Sequence, residues 1–116
     1  MIKLEALEAL KAKVEAGTKT LNPIPDWPRQ NMLDIVRAAN GSLDAAMALH
    51  NAVLPEFVAQ FDTLGYVWVY IPTRNAPPLM EARAFNEVPA RALVIADLEI
   101  LIKQEKEAAK ETDLAK

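Results

Sequence analysis

Gly65–Arg74, GYVWVYIPTR, is the stretch whose reading decides the fold. Tyr66, Trp68 and Tyr70 alternate with Val67, Val69 and Ile71. A period of two in aromatic and β-branched residues predicts a strand rather than a helix. Pro72 ends it, because a proline gives the ladder no donor. The segment just before it, Phe57–Phe61, alternates Phe57, Ala59 and Phe61 and is read as a second strand. Its aromatic and β-branched content outweighs a competing helical pattern that joins Phe57, Val58, Phe61 and Leu64. Beyond the loop PTRNAPP, Leu79 to Phe85 is predicted to return as a third strand, which completes an antiparallel meander.

Helices are predicted on both sides of this meander. Leu4, Leu7, Leu10 and Val14 recur at helical spacing in residues Ile2 to Ala16, and Gly17 is the expected stop. A loop with Pro23, Pro25 and Pro28 follows, with Asp26 expected to cap the next helix and Pro28 in its first turn. That helix is expected to show Met32, Leu33, Ile35 and Val36 to the core. Gly41 ends it. Ser42 is the expected cap of the third helix, with Asp44 in its first turn and Pro55 beyond its end. Asn86 is the expected cap of a last helix running from Glu87 to about Lys106 or beyond, centred on Val94, Leu98 and Leu101. The expected organisation is one α+β domain over residues 1–106, followed by a charged, frayed tail over 107–116. Its sheet has three antiparallel strands flanked by helices in the order α-α-α-β-β-β-α, like an α/β/α sandwich.

Composition narrows the function. The 116-residue chain is 52% hydrophobic, enough to bury a core without staples. It has no cysteine, which excludes disulfides, thiolate nucleophiles and cysteine-based zinc sites. No cofactor or metal is expected. A net charge of −3 argues against a nucleic-acid binder that relies on phosphate neutralisation. The opening MIKLEALEAL is interrupted by Glu5 and Glu8, so neither a signal peptide nor a membrane span is expected, and the expected location is the cytoplasm.

Four pieces in order carry a resemblance. They are LEALKAKVEAG near the start, GSLDAAMALHNAVLP in the middle, GYVWVYIP in the aromatic strand and EARAFNEVPARALVIADLEILI at the end. Together they cover about half the chain. In these the chain resembles a small phage-encoded family described as the phage α/β/α ("phage ABA") sandwich domain. The resemblance implies a small sheet flanked by helices and a phage or prophage origin. It brings no activity and no catalytic residue. The proline-rich LNPIPDWPRQNMLDIV departs from the family's pattern.

The candidate binding residues are Tyr66, Trp68 and Tyr70, with Arg74, Asn75 and Arg83 near them in the hairpin, and Trp27 in the proline-rich loop. The expectation for the aromatic row is burial, with one helical layer above the sheet and one beneath. The alternative is a platform on which bases stack. Trp27 is read equally as an interface anchor or a plug for the core. His50, the only histidine, is read as a packed residue at a helix edge. No second histidine or nearby carboxylate cluster offers a metal site, and Ser42, the only serine, is two helical turns away. Asp97 falls inside the apolar arc of the last helix and must find a donor, with Arg37 or a backbone N–H as candidates. An enzyme built on His50 and Asp97 is the weakest reading. The leading one is a phage-encoded accessory protein that binds a macromolecular partner, such as a host defence or regulatory factor it inhibits. A small-nucleotide or single-strand-binding module using Tyr66, Trp68 and Tyr70 is the alternative. Self-association as a symmetric dimer through leftover apolar helix surface is also expected.

Overall fold

The computed structural model describes residues 3–17, 21, 24–72 and 81–114, with side chains through 109. The elements run α1 (Lys3–Glu15), α2 (Arg29–Ala39), α3 (Leu43–Val53), β1 (Val58–Phe61), β2 (Tyr66–Tyr70), β3 (Glu81–Phe85) and α4 (Pro89–Leu114). This is the α+β order read from the sequence. The strands form one antiparallel sheet in the order β1-β2-β3. Arg74, Asn75 and the start expected for the third strand lie outside the described residues.

α4 is the hub. It packs against β2 and β3 and also against α1, α2 and α3. Every residue from Ala92 to Leu98 is buried, so the helix is covered all round. The sheet turns one face to it. Val67 and Val69 are 1% and 0% exposed, and their neighbours Ala84 and Ala82 are small enough to bring the helix close. Fully burying a side chain such as Val67 or Leu98 stabilises the fold by roughly 1.5–3 kcal/mol. α1 adds Leu7, Leu10 and Val14 to the core. Two half-exposed ion pairs, Lys3–Glu105 at 3.6 Å and Lys11–Glu99 at 3.7 Å, span α1 and α4 and add little.

Three helix ends differ from the sequence reading. Asp26 does not cap α2. Pro28 occupies the cap position, and Asp26 sits two residues upstream in the left-handed region at φ 68°. There it belongs to a turn closed by the Trp27 N–H on the Ile24 carbonyl at 3.2 Å. Asn86 does not cap α4, which starts at Pro89 rather than Glu87. A residue before proline is pushed out of the helical region, so Val88 cannot be helical. Asn86 instead closes an Asx turn by accepting the Val88 N–H at 2.9 Å. α4 also runs on to Leu114, through residues expected to form a tail, because this Ala-, Glu- and Lys-rich stretch is made of strong helix formers. The Ser42 cap is as expected: its Oγ accepts the Ala45 N–H at 3.2 Å.

The second correction concerns the sheet. Tyr66, Trp68 and Tyr70 are half-buried, not swallowed, and their cross-strand neighbours Val58, Gln60, Glu81, Arg83 and Phe85 are exposed. β2 and β3 alternate buried with more open positions because a meander needs only one face for the core. α4 supplies that cover.

Candidate functional site

Two places concentrate polar or aromatic chemistry. The first lies inside the core. His50 on α3 and Asp97 on α4 are 2% and 1% exposed. His50 Nδ1 is 2.7 Å from Asp97 Oδ1, and Nε2 is 2.8 Å from the Phe57 carbonyl oxygen. A carbonyl can only accept, so Nε2 must carry a proton. One further proton then lies between Nδ1 and Oδ1. Asp97 Oδ2 is buried and has no partner among the described residues. Burial pushes the Asp97 carboxyl up to about 6, against the opposing pull of the hydrogen bond and charge of His50. Burial alone would lower His50, but its bonds to Asp97 and Phe57 and the Asp97 charge together raise it.

This cluster ties α3, α4 and the entry to β1 together. Neither side chain meets solvent, so in this conformation the pair acts as a clamp on the fold. The pairing of His50 with Asp97 replaces the Arg37 or backbone donor expected for Asp97.

The second place is the open face of the sheet. The register sets its rows: Val58, Tyr70 and Glu81; then Gln60, Trp68 and Arg83; then Tyr66 and Phe85. The Arg83 guanidinium carbon lies 5.1 Å from the ring centre of Tyr66 and 5.1 Å from that of Trp68, cation–π contact with both. Phe85 meets Tyr66 at 5.2 Å between centroids, tilted by 53°. The Tyr70 hydroxyl donates to Gln60 Oε1 at 3.1 Å. Beside β3, Trp68, Arg83, Glu99 and Lys103 line a recess, and Lys103 Nζ donates to the Glu81 carbonyl at 2.5 Å. A separate groove between α1 and α4 is lined by Glu8, Glu15 and Glu99 and by Lys11, Lys103 and Lys106, so it favours neither sign of ligand.

The structure therefore gathers Tyr66, Trp68, Tyr70 and Arg83 on one surface. Trp27 is half-buried against the core cluster, in the loop before α2. Phe85 and Gln60 belong to the face, although the sequence reading did not single them out. The alternation of Glu81, Arg83 and Phe85 with Ala82 and Ala84 was the signal for Phe85.

The fold and this face define a small α+β domain with a half-open antiparallel sheet. No family model, curated protein or solved structure matches the chain. Among the described residues, no helix is long and apolar enough to cross a membrane.

Proposed function

We propose that this chain is a non-catalytic binding protein whose partner, another protein, docks on the open face of the sheet around Trp68 and Arg83. The observation that carries the reading is the half-buried row Tyr66, Trp68 and Tyr70, bordered by exposed Arg83 and Phe85 on the face of the sheet turned away from α4. Tyr, Trp, Phe and Arg are the residue types enriched at the centres of protein interfaces, where a few such side chains dominate the binding energy. The rings are already held by Arg83, Phe85 and the Tyr70–Gln60 bond, so docking orders few side chains anew. A net charge of −3 and an arginine already stacked on two rings favour a protein over a polyanion. A phage origin rests on the family resemblance alone; a host defence or regulatory factor as the partner rests on the small size of the chain and its lack of a catalytic constellation.

The experiment compares capture from host lysate by wild type, Trp68→Ala and Arg83→Glu, with folding checked by circular dichroism. The reading expects one specific protein retained by wild type and lost by both variants. Equal recovery by all three, or none by wild type, refutes it.

One arrangement favours a second reading. Trp68, Arg83 and Lys103 share a recess in which a base could stack and a phosphate find a cation. Trp68 fluorescence, isolated in a Trp27→Phe background, should then quench on adding nucleotides or single-stranded oligonucleotides. A flat titration removes this reading.

A further inference from the structure

We propose that β1 is a self-pairing edge, through which two copies of this chain join antiparallel at Ala59 and Phe61 into one six-stranded sheet. This goes beyond the docking reading and does not depend on it. The ladder fixes which groups point outward. Asp62 donates its N–H to the Tyr66 carbonyl at 3.0 Å, so Asp62 and Tyr66 are a hydrogen-bonded pair. In an antiparallel ladder such pairs alternate with non-bonded ones. Gln60 and Val58 therefore aim their backbone groups at Trp68 and Tyr70, while Ala59 and Phe61 aim theirs away from the sheet. Among the described residues nothing bonds these outward groups.

The two edges of the sheet are not alike. At β3, Lys103 reaches round to the Glu81 carbonyl, and a lysine on an edge is a common guard against strand addition. β1 reads VAQF, with no charge, proline or bulge. Its apolar side chains are also undercovered: Val58 is 41% and Phe61 40% exposed. Phe61 shares the face of Val67, which packs on α4, yet lies at the margin of that cover.

The occupant follows from the register. A two-fold axis normal to the sheet must pair residues of the same face. Centred on Gln60, it sets Ala59 opposite Phe61 of the other copy, twice, and all four outward residues exchange bonds. The small alanine then faces the large ring on both sides of the axis, a self-complementary fit. Centring on Ala59 instead requires bonds from Phe57, whose N–H is already given to Leu54 and whose carbonyl already accepts His50. The Gln60 register also sets the Asp62 carboxylate opposite Val58 rather than opposite its own copy. A neutral strand whose bonding groups match under its own two-fold fits a second copy of itself.

Sedimentation equilibrium tests this on wild type, Ala59→Pro and Phe61→Lys. Proline at position 59 removes an outward donor and takes none from the β1–β2 ladder. Wild type is expected to approach twice the 12.8 kDa chain mass as concentration rises, and each variant to lose about tenfold or more in association, with the fold retained in melting curves taken at a dilution where wild type is monomeric. A wild type that stays monomeric at its highest attainable concentration, or a dimer that survives both substitutions, overturns the proposal. Hydrogen exchange on wild type decides the matter even if a variant fails to fold. The Ala59 and Phe61 amides must slow as concentration rises, and concentration-independent exchange at both overturns it. Partner capture does not enter these readouts, so the two proposals fail separately.

Discussion

Replacing Asp97 with asparagine should alter how stability depends on pH. The carboxyl is raised from 3.8 to about 6, chiefly by burial. A group with a raised folded pKa holds its proton more tightly when folded. Its contribution therefore grows as pH falls through about 6 and is complete below the unfolded value near 3.8. A shift of about two units is worth about 3 kcal/mol across that window. His50 is raised as well, so its contribution is present below its ordinary value of 6.5 and is lost as pH rises through the folded value. The two slopes share a sign, and because one proton bridges the pair, the titration belongs to both residues together. In Asp97→Asn the amide can donate to His50 Nδ1, which keeps a hydrogen bond and removes the buried charge. Urea unfolding of both proteins, from about pH 8 to about pH 4, gives the difference in unfolding free energy, wild type minus variant. The other carboxylates cancel in that difference. The Asp97 share alone should make it rise by about 3 kcal/mol as pH falls, and the His50 share adds in the same direction. A difference that stays flat, or that rises toward alkaline pH, would refute the clamp and its shared proton.

Two smaller perturbations test local readings. Gly65 closes the β1–β2 hairpin at φ 96°, and a Cβ there would lie 2.9 Å from the Phe85 ring; Gly65→Ala should cost about 1–3 kcal/mol in denaturant unfolding. Ser42→Ala removes the cap of α3 and should cost about 1 kcal/mol, visible as a lower melting temperature.

Much of this architecture is legible in the chain because its signals are local. Gly41 and Ser42 mark a stop and a start, and both act within one turn of backbone. The alternation in β2 reports a strand for the same reason. It could not report which face is covered, because Tyr, Trp and Val serve equally in a core and at a surface. That choice depends on α4, which arrives later in the chain and covers one face. α2 shows the opposite failure. The sequence pattern offers Leu33 and Val36, yet both are exposed, while Asn31 and Asp34 are buried beside Ile35 and Ala38. The Gln30 amide donates to Asp34 at 3.0 Å, a bond that hydropathy does not reveal. The clamp was half legible. Asp97 stood out as a carboxylate among apolar neighbours, and His50 as the chain's only imidazole. The Phe57 carbonyl that fixes the tautomer carries no signature, because every residue has one.

The central position of α4 has a consequence for biogenesis. Synthesis runs from the N-terminus, so α1, α2, α3 and the whole meander leave the ribosome before the rod they lean on exists. Until then Val67, Val69 and Leu49 have no completed interior to enter, and the unguarded rim of β1 is open to neighbouring nascent chains. Compaction must therefore wait for α4, a segment made after every element that it covers.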